Sequence, residues 1–275
     1  MNLPRGGLVV VRGAGDLATG SIVRLVRSGF RVVALETAAP TAIRRTVALS
    51  EALYEGEAEV EGVRARSAAR PEEALALASA GLVPILADPR CAWLGILSPL
   101  ALVDAILAKR NLGTRRGMAP IVVALGPGFA APLDAHAVIE TNRGHGLGRV
   151  ILSGSAEPDT GVPGTIAGKG AERVVRAPAA GTVRALREIG CLVEAGEPLL
   201  EIEGIAGGGS AVVPSPLRGV LRGMIRGGSQ VPRGLKIADV DPRCEPAHCL
   251  SVSDKARAVA GGVLEAILSM GGRPE

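Results

Sequence analysis

The sequence predicts an α/β protein: a parallel-sheet domain, then a small all-β domain, then a helix. Three observations predict it. In the first half, apolar runs of strand length alternate with helical stretches. In the second half, short β-type segments are punctuated by prolines and glycines. One amphipathic stretch then runs from Ser253 to Ser269.

The elements follow in order. Leu8–Arg12 (LVVVR) is a continuous apolar run that ends in glycines, the mark of a buried strand. Leu17–Arg27 carries Leu17, Ile22, Val23, Leu25 and Val26 on a helical face and stops at Gly29. Arg31–Leu35 (RVVAL) reads as a second buried strand, completing a strand–turn–helix–strand opening. Residues 58–66 alternate as a hairpin with Gly62 at its turn. Pro71–Ala80 reads as a helix with proline in its first turn. Leu82–Ala87 and Ile121–Leu125 are further strands, and Leu100–Leu107 fits helix or strand equally. From about Gly161 the texture becomes that of a linker. In Ser253–Ser269, Ser253 or Asp254 is the cap, and Val259, Val263 and Ile267 share a face. The expected domains are residues 1–165, 171–243 and 250–270. The last is a helix packing back on the first domain through Ala258, Ala260, Gly261 and Gly262.

Composition narrows the function classes. Of 275 residues 47% are hydrophobic, enough to bury a large core, but the aromatics are only Phe30, Tyr54, Trp93 and Phe129. Bases of single-stranded nucleic acid stack on aromatic side chains, so this chain is poorly equipped to hold them. The net charge of +4 is dispersed, which argues against DNA and anionic membranes as partners. No apolar run reaches the length of a transmembrane helix, and the short stretch Leu8–Val11 is not expected to be a signal peptide. The four cysteines Cys91, Cys191, Cys244 and Cys249 suit reduced thiols, and a cytoplasmic location is expected.

The turn after the first strand reads Gly13-Ala14-Gly15-Asp16-Leu17-Ala18, a G-x-G-x-x-A pattern, with Gly20 following. In a Rossmann-like domain the first glycine makes the turn, the second lets a pyrophosphate approach the backbone, and the third small residue lets helix pack on strand. Glu36 ends the second strand, where an acid bonds a ribose hydroxyl. Asp16 works against a pyrophosphate by repulsion, and the alternative is a glycine turn that merely closes the unit. Arg44 and Arg45 read either as phosphate contacts or as a solvated pair.

Residues 175–202 and 213–240 match at a fixed offset of 38, pairing Pro178 with Pro216, Gly181 with Gly219, Gly190 with Gly228 and Gly196 with Gly234. Two such halves resemble the biotinyl/lipoyl-like barrel-sandwich hybrid. Carriers of that type hold a modified lysine between the halves. Here the segment Glu203–Ala211 has none, so neither biotin nor lipoate is expected.

Three other places carry chemistry-bearing residues. Lys109, Arg110 and Asn111 follow an apolar run and suit phosphate or carboxylate, or else a solvated end. Glu140, Arg143 and His145 lie in a glycine-rich segment, where Glu140 and His145 offer general acid–base chemistry or simply a polar loop. Cys244, His248 and Cys249 cluster near Asp239 and Asp241 without a zinc spacing. Cys249 is the thiol candidate there, and no metal site is expected.

The motifs VVVRGAGDLATG, RRTVALSEALYEGEAEVEGV, VDAILAKRNLGT, ALGPGF, VIETNRGHGLGRVI, ADVDPR and SDKARAVAGGVLEAIL, taken together, resemble the YqeB family. The resemblance runs from Leu8 to Leu268. It implies an accessory role in maturing selenium-dependent molybdenum hydroxylases of the xanthine-dehydrogenase kind, with such a hydroxylase as client. It supplies positions rather than roles: Gly13, Gly15, Asp16, Lys109, Arg110, Asn111, Glu140, Arg143, His145 and Asp254. The expected ligand contains a nucleotide, such as the cytidine dinucleotide form of the molybdenum cofactor. An NAD(P)-dependent oxidoreductase and a non-catalytic scaffold are the alternatives.

Overall fold

The structure is a computed structural model and describes residues 7–205 and 208–273. The chain divides into two units. The first takes the chain as far as Pro40, then Ala48–Thr160, then everything from Val252 on; the second takes Thr41–Val47 and Gly161–Ser251.

The apolar runs of the first unit become strands buried on both faces: β1 (Leu8–Arg12), β2 (Arg31–Leu35), β5 (Val83–Leu86), β6 (Ala101–Asp104) and β7 (Ile121–Leu125). Between β2 and β5 the alternating hairpin supplies β3 (Glu57–Val60), mostly exposed, and β4 (Val63–Ala68), whose residues are buried and exposed in turn. Shorter ones follow: β8 (Ala130–Ala131), β9 (Ala137–Ile139), β10 (Val150–Ile151) and β11 (Gly154–Ser155). One nine-stranded sheet runs in the order β10-β9-β7-β6-β1-β2-β5-β4-β3. Its two outermost strands are antiparallel to their neighbours and the seven between are parallel. The hairpin turn falls at Glu61 and Gly62, both with positive φ. The ambiguous stretch Leu100–Leu107 resolves as a strand that ends at Asp104.

The helices are α1 (Asp16–Arg27), α2 (Ala52–Glu55), α3 (Pro71–Ser79), α4 (Leu94–Leu97) and α5 (Asp254–Ser269). Ser253 caps α5, its Oγ accepting from the Ala256 N–H at 3.2 Å. Val259, Val263 and Ile267 form its buried face. α5 packs on α1, β7, β9 and β10. Close approach sets its small residues: a Cβ on Gly262 would overlap the Gly148 carbonyl oxygen, and one on Gly20 of α1 would sit 2.8 Å from the Ala256 Cβ.

The second unit holds β12 (Val174–Arg176), β13 (Gly181–Ala185), β14 (Leu192–Val193), β15 (Pro198–Ile205), β16 (Gly209–Pro214), β17 (Gly219–Met224), β18 (Gln230–Val231) and β19 (Lys236–Asp241). They form two antiparallel sheets of four strands, β12-β19-β17-β14 and β16-β15-β13-β18. An offset of 38 carries β12–β15 onto β16–β19, and exchanging the halves converts one strand order into the other. The buried cluster includes Val183, Leu200, Ile202, Leu221, Ile237 and Val240, drawn from both halves. Of the segment Glu203–Ala211, Ala206 and Gly207 lie outside the described residues.

The observed topology corrects the expected fold class in both parts. The first unit is a large mixed sheet, not a Rossmann-like parallel sheet. The sequence between β6 and β7 supplies only a 3-10 turn at Arg116–Met118, and between β7 and β9 only β8, so the regular strand–helix alternation stops there. The alternating hairpin adds an antiparallel edge at the other end. The second unit is a pair of antiparallel sheets, not a biotinyl/lipoyl-like barrel. Each sheet ends in a strand of two residues, β14 or β18, and among the described residues no ladder joins the sheets.

The segment Thr41–Val47 is a further difference. The Met224 N–H donates to the Ile43 carbonyl at 2.8 Å, and Arg45 Nε to the Met224 carbonyl at 2.9 Å. Buried Arg44 donates to the carbonyls of His248 and Ser251 at 3.0 and 3.1 Å. This pair of arginines therefore holds backbone and does not stand free in solvent, Arg44 being buried and Arg45 half-buried.

Gly262→Ala forces backbone apart and is expected to cost about 1–3 kcal/mol. Gly261→Ala meets nothing within 4 Å, so a small gain, about 0.4–1 kcal/mol, is expected. Urea unfolding of the two variants checks the contrast.

Candidate functional site

In a sheet of parallel strands, ligands gather beyond the carboxyl ends where the chain reverses its direction of strand addition. Here β2 lies on one side of β1 and β6 on the other, so the switch point falls between β1 and β6. The loops that open from this edge carry Gly13–Asp16, Glu36, Lys109–Asn111, Gly126–Gly128 and Glu140–Arg143.

A buried ion pair anchors the switch point. Arg12, the last residue of β1, donates to Asp104 Oδ2 at 3.2 Å and to Thr114 Oγ1 at 2.9 Å. It also donates to the carbonyls of Pro89 at 3.0 Å and Leu112 at 2.9 Å. Thr114 Oγ1 in turn donates to Asp104 Oδ2 at 2.5 Å. All three side chains are buried. Beside them, burial pushes the Cys91 thiol up to about 11; Arg12 opposes the rise, and Asp88 and Asp104 add to it.

The glycine loop sits directly above. Gly13 has φ +104°, and a Cβ there would lie 3.0 Å from the Ala105 carbonyl oxygen, so glycine is required by the approach of the neighbouring chain. The Ala14 N–H donates to Glu36 Oε2 at 2.8 Å, and the Thr37 N–H to Oε1 at 2.7 Å. Glu36 therefore lies on the loop. Gly15 is the N-cap of α1 in extended conformation, with nothing within 4 Å of where its Cβ would be. Asp16 begins α1 and Ala18 is buried beneath it. Gly20 faces Ala256 rather than the loop.

The remaining candidates divide by what already holds them. Lys109 pairs with Asp159 at 2.6 Å. Arg143 makes a two-pronged pair with Asp254 at 2.9 and 3.2 Å. Asn111 is already partnered, accepting from the Gly113 and Thr114 N–H groups at 2.8 Å and donating to the Thr114 carbonyl at 2.8 Å and to Asp134 Oδ1 at 3.3 Å. The backbone of Arg110 lies against Gly128 and its side chain is exposed. Glu140 is buried, its two oxygens accepting from the Asn142 N–H at 2.7 Å and the Glu157 N–H at 2.8 Å. His145 is exposed. Cys249 belongs to the second unit, where burial raises its thiol above the ordinary range and its Sγ meets the Leu221 carbonyl at 3.8 Å. Among the described residues no group of three or more His, Cys, Asp or Glu side chains is arranged to hold a metal.

Two features escape the sequence reading. Arg12 reads as a strand end but is a buried anchor. Lys255, the second residue of α5, is half-buried among charges: burial lowers its ammonium, Arg143 and Lys109 act in the same direction, and Asp16 and Glu140 oppose them. The available signal for Lys255 was rarity, since the chain has only four lysines, Lys109, Lys169, Lys236 and Lys255.

No family model matches the chain. It is 52% identical over 263 residues, 96% of its length, to the Escherichia coli (strain K12) protein named Uncharacterized protein YqeB, and it spans 48% of that relative. This supports the resemblance to the YqeB family over most of the chain. Among solved structures it is similar to succinylglutamatedesuccinylase/aspartoacylase from Rhodobacter sphaeroides, at 15% identity and a TM-score of 0.28, covering 86% of this chain and 85% of that one. It is also similar to the product-bound ectoine utilization protein EutE (DoeB) from Ruegeria pomeroyi, at 11% identity and a TM-score of 0.27, with 86% and 85% covered. Superposition this loose carries no argument about chemistry.

Arg12→Met leaves Asp104 buried without its cation and is expected to cost about 3–5 kcal/mol. In the double variant with Asp104→Leu the loss should be smaller than the sum of the single losses, read by denaturant unfolding. Thiol titration with Ellman's reagent at pH 8 is expected to modify exposed Cys191 rapidly and to leave Cys91 untouched until the protein is unfolded.

Proposed function

We propose, on the homology with YqeB that runs over most of the chain, that this protein is an accessory factor in maturing a selenium-dependent molybdenum hydroxylase. It binds a nucleotide-containing ligand at the switch point, the cytidine dinucleotide form of the molybdenum cofactor being the candidate. The hydroxylase is its client, and docking that client is the role assigned to the second unit.

The observation that carries this reading is the open backbone at Gly15. No neighbouring protein atom fills the space a Cβ would take there, and the residue's conformation is one any amino acid adopts. The first N–H groups of a helix lack internal partners and favour anions. A diphosphate approaching at Gly15 would therefore meet donors without a steric barrier. Glu36, fixed by two backbone N–H groups, keeps lone pairs free for ribose hydroxyls. The donor set fits a dinucleotide, whose diphosphate needs N–H groups and cations and whose ribose needs an acceptor. Bound there, the molybdenum cofactor would bring the metal and its dithiolene. The chain's own part is to grip the diphosphate, orient the nucleotide and keep the loop ordered through Arg12.

Thermal-shift measurement against NAD, NADP, ATP, CTP, CDP and molybdate tests the reading. A ligand at a hundredfold excess over its dissociation constant adds about 2.7 kcal/mol to stability. Cytidine nucleotides are expected to shift the transition, and Gly15→Trp is expected to abolish the shift while unfolding stays cooperative. A shift with NAD alone would replace this reading with an oxidoreductase. No shift with any nucleotide would leave only a scaffold.

A further inference from the structure

We propose that Lys255 is a ligand-binding residue: it supplies the cation that meets the diphosphate of the bound molecule across the glycine loop. The proposal rests on the reading of that loop as a nucleotide site and deepens it by naming the counter-charge.

Three constraints fix the helix turn that carries Lys255. On one side, its neighbour Asp254 is tied to Arg143 at 2.9 and 3.2 Å. On the other, Ala256 touches Gly20 of α1, where a Cβ would come within 2.8 Å of the Ala256 Cβ. A turn later, Gly148 lies against the Ala258 carbonyl, 2.6 Å from where its Cβ would be. The first turn of α5 is thus wedged between α1 and the segment 140–148, close to the start of α1 at Asp16.

The charges around it are already committed. Lys109 is paired with Asp159 and Arg143 with Asp254. Glu140 has given both oxygens to backbone N–H groups. Lys255 makes no hydrogen bond or ion pair among the described residues, although Asp16 and Glu140 lie near enough to act on its charge. A half-buried ammonium on a packed helix turn, within electrostatic range of carboxylates it does not bond, is suited to be the counter-ion for something that arrives. Asp16 would repel a diphosphate, and Lys255 offsets that repulsion. Burial lowers the ammonium's titration, as do Arg143 and Lys109, against Asp16 and Glu140, so an arriving anion restores solvation that folding removed.

The test uses inorganic pyrophosphate and CDP as probes on the full chain. Calorimetric affinity is compared for wild type, Lys255→Met, Lys255→Arg and Gly15→Trp. Acetylation of the four lysines is followed by mass spectrometry with and without pyrophosphate. Lys255→Met is expected to weaken both probes at least tenfold and Lys255→Arg to keep most of the affinity. Pyrophosphate should shield Lys255 from acetylation and leave Lys169 and Lys236 unaffected. A second readout is pH. Wild-type affinity should fall on going alkaline at a lower pH than an ordinary lysine would give, whereas Lys255→Arg holds its affinity through that range. If both probes bind wild type, are lost in Gly15→Trp, and bind Lys255→Met unchanged with no shielding, the proposal is overturned and the loop reading stands. If neither probe binds wild type, the loop reading fails and takes this proposal with it.

Discussion

The first unit is organised around a guanidinium that has left water. Arg12 closes β1 and reaches Asp104 on β6, Thr114 and Leu112 in the loop beyond, and Pro89 beyond β5. Taking an arginine and an aspartate out of solvent costs several kcal/mol per ion, and only close geometry with further hydrogen bonds returns it. Here the return comes from four acceptors on segments that are distant in sequence. The pair therefore adds little net stability but dictates which loops meet. Gly13 can lie against Ala105 because β1 and β6 are locked at their ends, and the loops that carry Lys109 and Glu36 are aimed by the same lock.

Carboxylates serve in this site mainly as caps. Glu36 holds the glycine loop by two N–H groups, and Glu140 holds the segments that lead to Asn142 and Glu157. Each is an acceptor for backbone groups that would otherwise lack partners, so removing either would loosen a loop rather than delete a reactive group. The second unit buries ion pairs too: Arg173 with Asp239, and Arg222 with Asp241 at 3.3 Å.

What the sequence made legible was local. LVVVR, RVVAL and IVVAL are strands because every apolar residue in them is buried, and α5 starts at the serine its cap requires. The glycine loop was found with Gly13, Gly15 and Glu36 together, since those residues are joined by one turn and one strand. The sheet as a whole was not legible. Strand β10 is two residues long, and whether an edge strand runs parallel or antiparallel depends on the loop before it rather than on its own pattern. The burial of Arg12 was hidden because its partners are 77 to 102 residues away. The segment around Ile43 joins β17 from farther still, Arg45 reaching Met224 across 179 residues, with no periodicity of its own to reveal it.

Because α5 belongs to the first unit, the order of synthesis matters to when the sheet is covered. The chain leaves that unit at Thr160 and returns at Val252. At ribosomal rates of about 5–20 residues per second the intervening stretch takes roughly 5–20 s to make. Throughout that interval β7, β9 and the apolar side of α1 await the helix that packs on them, exposed to solvent and to chaperones. A nascent chain arrested in this window would carry the complete glycine loop and none of α5. On the proposed reading, ligand competence would then arrive abruptly, with the emergence of one late helix, and not in proportion to the length translated.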